Sequence, residues 1–136
     1  MIMMEPTAFK VGAKIGELSL PPVTRHLLAL YLAGAHDESP IHVDIDVARA
    51  SGFDDVIAQG MLSMAWLGRL LTDCVEQSAV ASFECRFHSS VLLGDQLHCT
   101  CVVDEPEQSA PKQKRLRLEA RNQAGDLRTS GWAVLK

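Results

Sequence analysis

The sequence predicts an α+β fold in which one long helix lies inside a curved antiparallel sheet. Three observations carry this. The chain has 136 residues, within the roughly 100–200 that one domain takes, so residues 1–136 are read as one domain around one core. From Gly60 to Gln77 runs GMLSMAWLGRLLTDCVEQ, where Met61, Leu62, Met64, Ala65, Trp66, Leu67, Leu70 and Leu71 cover nearly every direction around a helix axis. A helix apolar all round has to be buried all round. The segments C-terminal to this helix alternate apolar and polar residues, the period of half-buried strands.

Local signals place each element in turn. Val11-Gly12 and Gly16-Glu17 suggest short strands or turns, and Pro21-Pro22 ends that extended stretch. Thr24 offers an N-cap, after which His26, Leu27, Leu30, Tyr31 and Ala33 keep helical spacing up to Gly34. Residues 35–44, AHDESPIHVD, are polar, and Pro40 disfavours helix at Ser39, so an ordered loop is expected before a short helix near Asp46 to Ser51 that Gly52 stops. Beyond the central helix, Phe83, Cys85 and Phe87 alternate within Val80 to His88, and Leu97, Cys99, Cys101 and Val103 within Gln96 to Asp104. Leu116, Leu118 and Ala120 alternate within Gln113 to Arg121, and Trp132-Ala-Val-Leu closes the series. Gly94-Asp95, Pro106 to Pro111 and Ala124-Gly125-Asp126 supply the turns, so the strands are expected to form an antiparallel meander around the helix.

Composition excludes several classes. At 47% hydrophobic and 22% charged residues the chain is far from a disordered composition. Thirteen Lys and Arg against seventeen Asp and Glu, a net charge of −4, leave no basic excess for a nucleic-acid backbone. The longest apolar run, Met61 to Leu71, is interrupted by Arg69 and falls short of the roughly 18–20 residues of a membrane span. The start, Met-Ile-Met-Met-Glu-Pro, carries an acid where an export signal has bases, so a cytoplasmic protein is expected. Cys74, Cys85, Cys99 and Cys101 form no CxxC pair and read as reduced, mostly buried thiols.

Reactive side chains concentrate at His36, Asp37, Ser39, His42 and Asp44. Two histidines and two carboxylates could ligate a metal, but their spacing matches no motif with known mechanics, and no metal is expected. Ser39 lacks a G-x-S-x-G elbow and precedes a proline, which argues against a serine nucleophile. A bland alternative makes Asp37 a cap and His42 a surface residue. A third reading pairs Asp37 with His42 across the proline turn as a water-activating dyad, since imidazole titrates near neutral pH and the carboxylate tunes it.

The stretch AHDESPIHVDIDVARASGFDDVIAQGMLSMA resembles the signature of the MaoC-like, R-specific enoyl-CoA hydratase family, a G-D-x-N-P-[IL]-H-x-D segment leading to I-A-H-G-M. CRFHSSVLLGDQL, from Cys85 to Leu97, is similar to that family's R-F-x-x-P-V-x-x-G-D stretch, so the resemblance covers at least residues 11–104. It implies the hot-dog fold, a long helix wrapped by an antiparallel sheet, with Asp37 and His42 catalytic and the backbone N–H of Gly60 polarising the thioester carbonyl. Such an N–H at a helix N-terminus suits the negative charge that builds on a thioester oxygen. Ser39, Gln59 and Met61 fall beside the substrate, and Trp66 and Met64 lie on the helix that would flank the acyl chain. Three positions depart from the pattern: His36 stands for its glycine, Ser39 for its asparagine and Gln59 for its histidine.

The resemblance implies (R)-specific hydration of trans-2-enoyl thioesters, or the reverse dehydration of 3-hydroxyacyl thioesters, on coenzyme A or acyl carrier protein, with no cofactor beyond the substrate's own coenzyme A. A hot-dog thioesterase, or a non-catalytic acyl-binding half of a heteromeric dehydratase, are the alternatives. A homodimer is expected through an exposed sheet edge, against a monomer whose edge is blunted by the Arg and Lys residues of Gln113 to Arg121.

Overall fold

The computed structural model describes residues 9–136; the N-terminal motif Met1 to Pro6 lies outside the described residues. A turn at Gly12 leads into β1 (Lys14–Ser19), and α1 (Arg25–Ala35) starts where Thr24 Oγ1 accepts from the Leu27 N–H at 3.1 Å. After a loop comes a 3₁₀ turn at Pro40–His42 and α2 (Ile45–Ala50), capped by Asp44, whose Oδ1 accepts from the Asp46 N–H at 2.9 Å. The central helix α3 runs Gly60–Cys74, shorter than expected because the backbone turns extended at Val75. Then come β2 (Val80–Phe87), β3 (His98–Asp104), β4 (Arg115–Arg121) and β5 (Leu127–Leu135).

All strand pairs are antiparallel, and the sheet order is β1-β3-β4-β5-β2. The expected simple meander holds only for β3-β4-β5. Strand β2 pairs with β5, Phe83 opposite Ala133, at the far edge from β1. Alternation marks a segment as a strand but carries nothing about its neighbour, and here the link 88–97 carries the chain past two strands, β5 and β4. Gln113 to Arg121 is likewise not an edge: β4 sits inside the sheet, so its charges blunt nothing, and the free edges are β1 and β2.

The inward face of the sheet is built from Cys99, Cys101, Val103, Leu116, Leu118, Ala120, Ala133 and Leu135, all buried against Leu67, Leu70 and Leu71 of α3. Each such leucine contributes about 1.5–3 kcal/mol by leaving water. Strand β1 passes so close to the helix that a Cβ on Gly16 would collide with Cys74 Sγ. This is the hot-dog arrangement. The helix is not buried all round, however. Met61 is 55% exposed, and Ala65, Arg69 and Thr72 share its open face, the three-to-four-residue spacing of one stripe. The sheet wraps one side of α3 and leaves that stripe bare.

No helix among the described residues is long and apolar enough to cross a membrane. The four cysteines are free thiols. Burial pushes Cys99 up to about 12 and, with Glu84 nearby, Cys85 up to about 11, so both stay protonated at neutral pH.

Candidate active site

A cavity of about 390 Å³ opens at the N-terminus of α3. One wall is His42, the extended segment Ile57 to Gln59, and the first turn of the helix with Gly60 and Ser63. The other is Phe87, His88, Ser89, Ser90 and Val91, with Thr129 of β5. The two walls are tied together by backbone: the Ala58 N–H donates to Val91 O at 2.9 Å, and Ile57 bridges Leu92.

His42 is placed by its own ring. Its Nδ1 lies 2.8 Å from Ile57 O, and a carbonyl only accepts, so Nδ1 carries the proton and Nε2 of the neutral imidazole presents a lone pair. Asp37 Oδ2 lies 3.8 Å from that Nε2, with the side chains 33% and 11% exposed respectively. Asp37 Oδ1 accepts from the Ser39 N–H at 3.3 Å, the Asx-type turn that the proline loop favours. Two acceptors at this separation can each take one O–H of a single water. Asp37's charge also reaches Tyr31, whose phenol is raised above its usual range by burial and then by this carboxylate.

Among the described residues the N–H groups of Gly60 and Met61 at the α3 N-terminus have no partner, whereas the Leu62 N–H returns to Gln59 O at 3.1 Å. Ser63 Oγ donates to Gly60 O at 2.8 Å and lies 2.8 Å from Thr129 Oγ1, which clamps the helix start to β5. Phe87 covers Gly60; a Cβ there would meet the ring at 3.5 Å, ordinary contact, so glycine is not demanded by the protein's own packing.

The structure thus brings His42 and Gly60 into one cavity lining and sets Asp37 behind His42, 3.8 Å from its Nε2 and outside that lining. Ser39 joins through its backbone only, and its side chain is exposed. Gln59 is fully buried; its Nε2 donates to Leu28 O at 3.1 Å, anchoring the helix start to α1, while Oε1 is buried with no hydrogen-bond partner among the described residues. Met61 sits on the open stripe, outside the cavity lining. Asp44 is a helix cap. His36 ends α1 at φ 54°, a left-handed position where glycine fits without strain, which explains why the family pattern has glycine there. Among the described residues no three His, Cys, Asp or Glu side chains converge as a metal-binding group.

Sequence reasoning missed the second wall. Ser63, a hydroxyl on the sheet-facing side of an otherwise apolar helix, and the polar run His88-Ser89-Ser90 at the end of an alternating strand were the signals for it.

Residues 9–124 match the family model of the MaoC like domain. An (R)-hydratase from A. caviae involved in PHA biosynthesis is similar over 95% of this chain and 97% of its own, at 26% identity and a TM-score of 0.79. The R-hydratase PhaJ1 from Pseudomonas aeruginosa is similar over 96% of this chain and 83% of its own, at 27% identity and a TM-score of 0.79. A mitochondrial 3-hydroxyacyl-[acyl-carrier-protein] dehydratase of Arabidopsis thaliana is 28% identical over 67% of this chain, and the chain spans about half (54%) of that curated relative's length.

Proposed function

The chain belongs to the MaoC-like domain family, and on that premise we propose that it adds water to trans-2-enoyl thioesters with (R) stereochemistry, or removes it from (R)-3-hydroxyacyl thioesters. The observation that carries this reading is that His42, with its Nε2 lone pair, and Gly60 at the start of α3 line one cavity, while the Asp37 carboxylate stands 3.8 Å from that Nε2. A water held between Asp37 and His42 gives a proton to the imidazole as its oxygen bonds to C3. Electron density moves onto the thioester oxygen, where the Gly60 N–H and the positive end of α3 stabilise it. A proton returned from the dyad to C2 completes the 3-hydroxyacyl thioester. Nothing in these steps asks for a metal or organic cofactor.

The same reading treats residues 1–136 as one domain and the protein as cytoplasmic, where free thiols such as its four cysteines persist. It also makes the protein a homodimer. The free edge of β2, the half-exposed Phe87 beside it and the open stripe of α3 lie next to the cavity, and an unpaired edge strand favours pairing with a copy of itself. Light scattering that returns the mass of one chain contradicts the dimer.

The reaction is tested by following the ultraviolet absorbance of the enoyl thioester together with free thiol. Loss of the enoyl band without thiol release is expected. Thiol release at the same rate would indicate thioester hydrolysis, and no change in either would indicate an acyl-binding subunit.

A further inference from the structure

We propose that His88 is a specificity-determining residue that donates a hydrogen bond to an amide carbonyl of the pantetheine arm of the thioester substrate. This rests on the hydratase reading above and names which part of the substrate the second wall recognises.

The wall is rigid. The His88 and Ser89 N–H groups both donate to Arg128 O, at 2.9 and 3.3 Å, and Arg128 Nη1 donates to Ser89 Oγ at 3.0 Å. Arg128 is itself held by the buried Asp95, Nε to Oδ2 at 3.1 Å. A contact group fixed before the ligand arrives costs less entropy on binding.

The ring's polarity is set by its partner. His88 Nε2 lies 2.7 Å from Ser130 Oγ, and Ser130 is 4% exposed. A buried hydroxyl proton needs an acceptor, and among the described residues the imidazole is the one within reach. Ser130 therefore donates to Nε2, and neutral His88 carries its proton on Nδ1, a free donor on a residue that lines the cavity. His42 holds the same Nδ1–H tautomer, but there the proton is taken by Ile57 O and the Nε2 lone pair is the group left open. One imidazole serves as a base and the other as a donor.

A donor calls for an acceptor on the ligand. The enoyl group offers only the thioester oxygen, which Gly60 takes. The deep end of the cavity is closed by Ser63 and Thr129, each 1% exposed, while Phe87 and His88 form the exposed rim. With the acyl group pointing inward, the thiol-side arm crosses the rim, and its amide carbonyls are the acceptors that pass His88.

The test compares trans-2-butenoyl-CoA with S-ethyl thiobutenoate, which has the same reacting group and no amide. His88→Phe keeps an aromatic ring but no donor, and is expected to raise KM for the CoA thioester about tenfold, the worth of one neutral hydrogen bond, without a matching loss in kcat. The wild-type-to-variant ratio should collapse to about one for the ethyl thioester. His88→Asn, whose amide N–H can stand near the Nδ1 position, should restore most of the KM. The same acyl group on acyl carrier protein should show the same penalty, since both carriers have the arm. A penalty equal on both butenoyl thioesters, absent from both, or confined to one carrier overturns the inference while leaving the hydratase reading in place. Hydration of neither thioester by the wild type overturns both.

Discussion

Among the described residues two imidazole–carboxylate pairs stand out, and the more tightly bonded one is outside the cavity. On the solvent side of β1 and β3, His98 Nε2 lies 3.2 Å from Glu17 Oε2, with Ser19 Oγ 2.9 Å from His98 Nδ1, a Ser-His-Glu row. Its His and Glu side chains are 46% and 52% exposed, and Lys14 Nζ donates to the same Glu17 oxygen at 2.8 Å. Water and a competing cation neutralise that carboxylate's charge, and exposed pairs of this kind contribute little. Asp37 and His42 stand farther apart, yet His42 is mostly buried, its tautomer is fixed by Ile57 O, and a helix N-terminus faces the same space. Bond length within a cluster is a poor guide to chemistry; an enclosed volume, a fixed tautomer and an unoccupied acceptor are better ones.

The largest effect that would break this contrast is at the dyad. Asp37→Asn is expected to lower enoyl-thioester hydration by about 10²-fold or more with its melting temperature nearly unchanged. The Asp37→Asn, His42→Ala double variant should be little worse than either single one, because groups acting as a unit lose their joint contribution together. Additive losses with a falling melting temperature would mark the pair as structural.

The next effect sharpens the role of the second wall. Asp95 holds Arg128, the Leu92 N–H at 2.9 Å and Asn122 Nδ2 at 3.4 Å. Asp95→Ala leaves a buried arginine without its partner and should cost roughly 3 kcal/mol or more in denaturant unfolding. A loss under about 0.5 kcal/mol, the scale of an ordinary surface change, would show that the wall is not held this way.

Much of this was legible in the sequence. The buried face of α3, the inward residues of β3 and β4, and the Thr24 and Gly52 boundaries are set by periodicity and capping, which are local. The placement of β2 beside β5 is not local, nor is the open stripe of α3, since an apolar residue is written the same way whether the sheet or a second chain covers it. At the site, the approach of Asp37 to His42 was visible because the two lie five positions apart in one loop. His88, Ser63 and Thr129 come from three distant elements, and only folding makes them neighbours.

A smaller effect belongs to His36. Replacing it by glycine relieves a left-handed backbone and should raise stability by about 1 kcal/mol, seen as a higher melting temperature. A lower one would show that the histidine ring makes a contact worth more than the strain.

The smallest effect is on the surface row. Lys14's hydrogen bond, then its charge, holds the Glu17 carboxyl below its ordinary 4.5. A lowered folded value means that Glu17 favours the fold above its ordinary 4.5 and ceases to as the pH falls below it. Glu17→Gln should flatten only that acid limb of the melting-temperature profile. A change in the neutral range would give Glu17 a role that the structure does not show.

The central claim is tested most directly by removing one imidazole at a time. Hydration of trans-2-butenoyl-CoA by His42→Ala is expected to fall about 10²-fold or more, and by His98→Ala to match the wild type, with both variants melting cooperatively. Turnover retained in His42→Ala, or an equal fall in the two, would contradict the account.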